Sequence, residues 1–429
     1  MIRNGLPKNE TGISIHHLPT HERQMKVAIT ADAHLREERP ERVSALEEVF
    51  RETDKSGIEH LIIAGDLFDE DPELELRNEF KSLVESFTGM QVHVIPGNHD
   101  PGLTADFFAL KNLKIYSGEA QRANIPSQIP FLMVPYNGGK SMADALADAD
   151  LSDSADGWVL IGHGDYQSGN WEPNPLESRH GNTVYMPLQR GDLIRYEPKR
   201  VFLGHIHKQT PVDSPVDGRV LYPGSPHGLD ITETGRRRYL IYDLATNVVE
   251  ERFIGVGAIY FDEPFMMVPA DNELDILRQS MEDRKNGWNL TDEEMQRVNL
   301  RLRVNGFAQR GLPEIRESVE SYWKTQLKPA QLVKLDTDSL HPGHKDPQRK
   351  KLVEAAFGRI DDIPLDSDSS HPEHKDPQSK KLTETVYTKI DDIPTKEGVS
   401  DVWYPFGVGP EPTVDEVKNA AQKLIYQSK

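Results

Sequence analysis

Five short polar motifs in the sequence carry side chains of the kind that bind divalent metal ions. Each stands directly after, or at the end of, a short apolar run. In chain order they are Asp32-Ala33-His34, Gly65-Asp66, Gly97-Asn98-His99-Asp100, Gly162-His163 and Gly204-His205-Ile206-His207. Imidazole nitrogen and carboxylate or amide oxygen, without thiolate, are ligands that suit manganese, iron or zinc. One such motif alone is weak evidence, but five in order predict a metal site.

The number of ligands in these motifs is large enough for two ions. In two-metal hydrolases the ions lie roughly 3.5 to 4 Å apart and stabilise the attacking and leaving oxygens of a phosphoryl displacement. One ligand must bridge them, and Asp66 is the best candidate because a carboxylate has two oxygens. The other ligands then form two sets. Asp32, His34 and His207 complete one ion, and Asn98, His163 and His205 complete the other.

Three further polar residues lie beside the predicted ligands. His99 is not needed for coordination, so we expect it to face the scissile phosphate as a transition-state stabiliser or as the proton donor to the leaving oxygen. Asp100 either orients His99 or caps the loop. Asp69 either holds a ligand histidine or starts the next helix, and we prefer the helix start. The predicted catalytic residues are therefore His99 and Asp100.

Short runs rich in β-branched and aromatic residues alternate with helical patterns from Lys26 to about Leu244. These runs are 27–30, 61–64, 92–95, 158–161, 201–203, 220–222 and 239–242. The alternation predicts an α/β domain. Because ligands bind at the carboxyl ends of strands in such sheets, motifs that are far apart in sequence should converge at one edge.

Two helices are predicted between the first three strands. Pro40 can occupy the first turn of one, which Gly57 ends. The other has apolar residues at 80, 83, 84 and 87 and stops before Gly89. We assign residues 25–255 to this domain and give the N-terminal arm, 1–24, no function.

The pattern changes after Gly255 and predicts a small α+β domain at 256–333. It contains helices near 272–284 and 313–326 and the alternating run 297–304. In this run four apolar residues share one face, and Arg297, Arg301 and Arg303 lie on the other. We prefer a solvated strand face to a DNA-binding patch for these arginines.

A tandem repeat with a period of 30 residues fills most of the segment 334–394. The copies, 335–364 and 365–394, are identical at twenty of thirty positions, which indicates a recent duplication. Each copy predicts a short amphipathic helix after an Asp-Pro pair. The repeat is either a linker or a pair of segments that dock on a partner. The C-terminal segment, 395–429, ends in a predicted helix with a capping box from Thr413 to Glu416.

The composition is that of a soluble protein, with no apolar run long enough to span a membrane. The chain has no cysteine, and its start does not have the pattern of a secretory signal. We therefore expect it in the cytoplasm of a bacterium, or of the host if a phage encodes it. The net charge of −20 argues against strong unaided DNA binding, because DNA-binding proteins usually have a basic surface.

The five motifs together resemble the signature of the calcineurin-like metallophosphoesterases, D-x-H, GD, GNHD, GH and GH-x-H. Within that superfamily the segments 64–70 (AGDLFDE) and 221–233 (LYPGSPHGLDITE) are similar to the SbcD-type nuclease subunit of double-strand-break repair. The similarity covers about residues 25–333. Ala33 and Leu35-Arg36 depart from the family, which usually has a large residue and then a glycine there.

This resemblance implies a two-sheet sandwich flanked by helices, with 256–333 as a capping domain that helps DNA to reach the metals. It also implies two manganese ions, DNA as substrate and an SbcC-like coiled-coil ATPase as partner, and it allows for a homodimer. The segment after the cap is where such proteins dock on the ATPase, so the repeat is the first candidate for that contact.

Three functions are compatible with the sequence. The first is a manganese-dependent DNA exonuclease and endonuclease that acts in repair or recombination. The second is a phosphoesterase for small phosphodiesters or phosphomonoesters. The third is a non-catalytic scaffold of a repair complex, which is the least favoured because all seven ligands and His99 are present.

Overall fold

A computed structural model describes residues 25–127, 129–149, 157–168, 184–326 and 330–342. The predicted N-terminal arm, most of the repeat and the C-terminal segment lie outside these residues. The helices are α1 (Pro40–Lys55), α2 (Leu74–Ser86), α3 (Met142–Ala147), α4 (Arg190–Tyr196), α5 (Glu273–Gly287), α6 (Asp292–Met295) and α7 (Leu312–Gln326). The strands are β1 (Lys26–Thr30), β2 (His60–Ala64), β3 (Gln91–Ile95), β4 (Leu113–Ile115), β5 (Gln121–Arg122), β6 (Phe131–Val134), β7 (Val159–His163), β8 (Tyr166–Gln167), β9 (Leu188–Gln189), β10 (Arg200–Gly204), β11 (Val220–Leu221), β12 (Arg238–Asp243), β13 (Val248–Phe253), β14 (Ile259–Met267), β15 (Val298–Ala308), β16 (Gln331–Asp336) and β17 (Leu340–Pro342).

The first sheet has six strands in the order β13-β12-β1-β2-β3-β4. Strands β1 to β4 are parallel, and β12 runs antiparallel to β1. Successive residues of a strand face opposite sides, so Ala28 and Leu61 pack with α1 and α2 on one face. Val27 and Ile62 pack on the other face against the second sheet. Both faces are therefore buried, which explains why these strands are apolar throughout.

The second sheet has five strands in the order β11-β10-β7-β6-β5, with β6, β7, β10 and β11 parallel. Its inner residues, such as Ile161 and Phe202, share a core with the first sheet. Its outer residues, such as Leu160 and Leu203, pack with α3 and α4. The described layers are therefore helix, sheet, sheet, helix. The predicted α/β fold with two sheets flanked by helices is confirmed.

Three buried side chains, those of His60, His93 and Tyr116, are linked by hydrogen bonds across the first sheet. His60 Nδ1 lies 3.0 Å from His93 Nε2, and His93 Nδ1 lies 2.9 Å from the Tyr116 hydroxyl. Burial lowers the pKa of His60, and burial together with the neighbouring His60 lowers the pKa of His93 to about 3. The two imidazoles are therefore neutral near pH 7, and one can donate to the other.

A smaller α+β unit follows β13 and has its own core. Strand β15 lies in the middle of its sheet, with β14 on one side and both β16 and β17 on the other. Helices α5 and α7 agree with the predicted ones, and β15 contains the alternating run. The predicted boundary at 333 falls inside β16. The sheet continues to Pro342, so the first eight residues of the repeat, 335–342, belong to it.

Arg301 and Arg303 in β15 contact acidic residues of the neighbouring strands, and Arg297 lies directly before this strand. Arg303 Nε lies 2.9 Å from Asp262 Oδ1, and Arg301 contacts both Asp262 and Asp336. Arg297 donates to the carbonyl oxygen of Gly257 at 3.2 Å. These arginines stabilise the sheet and its junction with the preceding domain, and they are neither simply solvated nor an uncompensated basic patch.

A bilayer crossing requires a helix that is both long and apolar. None of the described helices combines these two properties.

Candidate metal centre

The loops that carry the predicted ligands have an unusual backbone. Asp32, His34, Asp66 and His205 have φ values of 55°, 46°, 48° and 94°, in the left-handed region that residues other than glycine seldom adopt. Such conformations cost on the order of 1–3 kcal/mol each and persist where the surrounding structure enforces them. Four strained positions at the carboxyl ends of β1, β2 and β10 are typical of a functional site.

The glycines in three of the motifs are required by close packing. A Cβ on Gly65 would lie 2.0 Å from His163 Nδ1, and one on Gly97 would lie 2.1 Å from Asp66 Oδ1. A Cβ on Gly204 would lie 2.0 Å from the Ala64 carbonyl oxygen. No side chain fits at these distances, so each glycine lets two ligand loops approach one another.

The first predicted ligand set, Asp32, His34 and His207, comes together around one point. Each of the three offers a ligand atom within 4.8 Å of the other two. The closest pair is His34 Nε2 and His207 Nε2, which lie 3.0 Å apart. Asp32 and His34 are fully buried, and His207 is partly exposed. The set can therefore hold one ion, with His207 as its more exposed ligand.

The second predicted set, Asn98, His163 and His205, forms an adjacent cluster. Asn98 Oδ1 lies 2.7 Å from His205 Nδ1 and 2.9 Å from His163 Nε2. His163 is completely buried, and its Nδ1 donates to the Ala64 carbonyl oxygen at 3.0 Å. That hydrogen bond directs Nε2 towards the cluster.

Asp66 lies between the two sets. Its Oδ2 is 3.5 Å from His34 Nε2 and 3.3 Å from His163 Nε2. Its Oδ1 accepts the backbone N–H of His99 at 2.8 Å. One oxygen is therefore held by the backbone, and the other stands where a bridging ligand would be needed. The structure brings all seven predicted ligand residues together.

The chemistry of these residues fits bound cations. Oδ2 of Asp32 is buried and has no hydrogen-bond partner among the described residues, which is costly for a carboxylate oxygen unless a cation binds it. His163 Nε2 faces two acceptor oxygens, those of Asn98 and Asp66. With Nδ1 donating to the Ala64 carbonyl oxygen, a neutral His163 adds a third acceptor at Nε2, and three convergent acceptors are satisfied by positive charge at the centre of the cluster.

Burial and neighbouring charges shift the pKa values of the clustered residues. Burial raises the pKa of Asp32 to about 6, although His207 and His163 oppose this rise. Burial alone would lower the pKa of His163, but the charges of Asp66 and Asp32 outweigh it and raise the pKa to about 9. The pKa of Asp66 is lowered because His163 and His34 outweigh its burial. The site therefore favours positive charge between its two carboxylates.

Carboxylates outside the predicted ligand sets hold the histidines. His34 Nδ1 donates to Asp69 Oδ1 at 3.0 Å, so Asp69 orients a ligand histidine, and our preference for a helix start was wrong. Helix α2 begins later, at Leu74. His207 Nδ1 donates to Glu233 Oε1 at 2.8 Å. Sequence analysis missed this role of Glu233, although it closes the segment 221–233 that the resemblance had marked.

Two further groups near the second set were also missed. Asp165 Oδ1 lies 3.7 Å from His205 Nε2, and Asp165 Oδ2 accepts the backbone N–H of Tyr185 at 2.7 Å. The Tyr185 ring centre lies 4.7 Å from that of His205. The position of Asp165, two residues after His163, was the available signal, since carboxylates near ligand histidines often orient them.

The two predicted catalytic residues differ in their surroundings. The side chain of His99 is 29% exposed, and its Nδ1 donates to the Asp69 carbonyl oxygen at 2.9 Å. Its ring centre is 4.7 Å from that of His34, so it lies beside the predicted metal ligands. Asp100 is buried, and its two oxygens accept the backbone N–H groups of Gly97 and Phe68. These are the contacts of the loop-capping alternative.

The fold and site thus define a two-sheet α/β protein with a buried histidine and carboxylate cluster at the carboxyl ends of its strands. Residues 25–209 match the family described as calcineurin-like phosphoesterase. This part of the chain is therefore similar to the calcineurin-like metallophosphoesterases, a family with a centre of two divalent ions.

Several solved structures are similar to this chain at low identity. TT1561 of Thermus thermophilus is 12% identical with a TM-score of 0.35, and the match covers 54% of this chain and 99% of that one. Purple acid phosphatase PPD1 from yellow lupin seeds is 13% identical with a TM-score of 0.36, over 55% and 52% of the chains. Yfce, a phosphoesterase from E. coli, is 13% identical with a TM-score of 0.24, over 54% and 100%. No curated protein matches the sequence.

Proposed function

We propose that this chain is a manganese-dependent DNA nuclease of the SbcD type that acts in repair or recombination. The supporting observation is the contact between Glu233 and His207. Glu233 is the last residue of the segment 221–233, which carries the resemblance to that nuclease branch. Ser225 and the backbone N–H of Leu229, in the same segment, both donate to Glu233 Oε2. The segment that resembles the nuclease branch is thus attached to a predicted metal ligand.

In this proposal the seven ligands would hold two divalent ions, which would supply Lewis-acid stabilisation to the attacking and leaving oxygens. The chain's own task is to place the phosphodiester against them. His99 is exposed enough to reach the phosphate and would donate a hydrogen bond or a proton to an oxygen there. The hydrogen bond from Nδ1 to Asp69 fixes its ring, and Asp100 fixes the loop that carries it.

The segment beyond the catalytic domain supplies the proposed partner contacts. The small unit from β14 to β17 would guide DNA to the site, and the segment after Pro342 would dock on an SbcC-like ATPase. The acidic net charge supports a role for such a partner, since it disfavours binding of DNA by this chain alone. Co-purification of the ATPase with the full chain, but not with a variant that ends at 342, would support the docking proposal.

Hydrolysis of small phosphodiesters is the second candidate. The ion pairs of Arg301 and Arg303 with Asp262 favour it, because they remove a basic face that DNA could use. On this view the small unit would only shape the entrance to the site.

Assays of the purified full-length protein distinguish the DNA nuclease from the enzyme for small phosphodiesters. Labelled single- and double-stranded DNA should be cut with manganese and left intact with EDTA, and magnesium should support less cleavage. His99→Ala protein serves as the control for a contaminating nuclease. Hydrolysis of bis(4-nitrophenyl) phosphate without any cleavage of DNA would reject the nuclease proposal and support the small-substrate enzyme.

A further inference from the structure

Two of the predicted ligand histidines have the same outer arrangement. His34 Nδ1 donates to Asp69 at 3.0 Å, and His207 Nδ1 donates to Glu233 at 2.8 Å. A carboxylate only accepts, so each Nδ1 keeps its proton and each Nε2 is left with a lone pair that could bind a metal ion. The two Nε2 atoms are those that lie 3.0 Å apart.

An arginine completes each arrangement. Arg42 Nη1 donates to the His34 carbonyl oxygen at 2.6 Å and lies 3.3 Å from Asp69 Oδ2. Arg237 Nη2 donates to the His207 carbonyl oxygen at 2.7 Å and lies 3.8 Å from Glu233 Oε2. Both arginines are buried. Each histidine is therefore held at its ring and at its main chain by one arginine and carboxylate pair, which we call a clamp.

The histidines of the second set are held differently. The outer partner of His163 is a neutral backbone carbonyl, that of Ala64. For His205, the carboxylate of Asp165 lies 3.7 Å from Nε2, beyond the range of a hydrogen bond. A carbonyl polarises an imidazole less than a carboxylate does, so His163 is the weaker electron donor by this criterion.

We propose that the set of Asp32, His34 and His207 binds its ion more tightly than the set of Asn98, His163 and His205, with Asp69 and Glu233 as the positioning residues that create the difference. The inference rests on the two-metal site of the proposed function. The charge of the unshared ligands acts in the same direction, since Asp32 is a carboxylate and Asn98 is a neutral amide. The arginines offset part of the charge of Asp69 and Glu233, so the clamps act chiefly by fixing both rings before the ion binds.

Calorimetric titration of the metal-free full-length chain with manganese tests this difference. The wild type should bind two ions with distinct affinities. Asp69→Asn and Glu233→Gln should each weaken the tighter site by about 10- to 100-fold, the range measured for outer partners of ligand histidines. Asp165→Asn is the matched control, since it removes a carboxylate near His205 and should leave the tighter site unchanged. Thermal unfolding verifies that each variant is folded.

Variants that lack one ligand set show which of the two sites the substitutions affect. In His163→Ala protein the first set remains, and adding Glu233→Gln should lower its manganese affinity. In His34→Ala protein the second set remains, and adding Glu233→Gln should change nothing; Asp69→Asn gives a second reading if Glu233→Gln is unstable. The inference would be overturned, with the proposed function intact, if the wild type bound its two ions with equal affinity. It would also be overturned if Glu233→Gln weakened manganese binding by the second set as much as by the first. If the wild type bound no stoichiometric manganese, the proposed function would be rejected as well.

Discussion

The backbone N–H of His99 donates a 2.8 Å hydrogen bond to Oδ1 of Asp66. This contact couples the loop after β3 to the proposed bridging carboxylate. It also leaves Oδ2 as the oxygen that faces both ligand sets. The position of His99 therefore depends on the same side chain that would join the two ions.

Replacement of Asp66 should consequently affect both ions. Asp66→Ala should lose close to two equivalents of manganese, whereas His34→Ala should lose about one, because only the bridging ligand serves both sets. Plasma emission spectrometry of the dialysed proteins measures the equivalents. Equal losses in the two variants would argue against the bridge.

His99→Ala should separate catalysis from metal binding. Since His99 is assigned to the phosphate, we expect turnover to fall by about 10²- to 10⁴-fold while two equivalents of metal remain bound. The exposed His341, in β17, provides a control, and His341→Ala should retain normal turnover. Loss of a metal equivalent in His99→Ala would instead make His99 a ligand.

Gly97 tests the packing of the ligand loops. A Cβ at Gly97 would meet Asp66 Oδ1 at 2.1 Å and Asp66 N at 2.4 Å, and the backbone atom cannot move away cheaply. Gly97→Ala should therefore displace Asp66 and weaken manganese binding at both sites, and it should lower the melting temperature. Gly102 lies in the same loop with open space around it, so Gly102→Ala should be close to neutral. Normal metal affinity in Gly97→Ala would show that the loops are not tightly packed.

The buried pair His60 and His93 should make stability depend on pH. The pKa of His93 is lowered from its ordinary value to about 3, so the unfolded chain takes up the proton first as the pH falls. The stabilisation is complete above about pH 6.5 and is lost progressively towards pH 3, by an amount on the order of a few kcal/mol. Urea unfolding of wild type and His93→Phe at several pH values checks this. A wild-type curve no steeper than that of the variant between these pH values would contradict it.

The sequence predicted which side chains converge on the candidate site better than it predicted the residues that hold them. Histidine and aspartate directly after apolar runs mark the carboxyl ends of strands, so the convergence of the motifs followed from the fold class alone. The contact of Glu233 with His207 depends on how the chain returns to the site over a separation of 26 residues, and no local pattern encodes that path. The two-residue strands β5, β8 and β9 were missed for a related reason, since they are too short to show periodicity.

The start of the tandem repeat should be needed for stability although the rest is dispensable for catalysis. Leu340 is 3% exposed in the core of the small unit, and β17 pairs with β15 from Gly306 to Ala308. Leu340→Ala should cost about 2–5 kcal/mol of the unfolding free energy of that unit, and Val333→Ala, at an exposed position of β16, should cost little.

Deletion of 335–394 should accordingly destabilise the small unit, because it removes the end of β16 and all of β17. Deletion of 343–394 should preserve both its melting temperature and manganese-dependent cleavage, since every proposed ligand lies before residue 208. Calorimetry of the two deletion variants checks this, and equal melting temperatures for them would show that β17 adds nothing to the sheet.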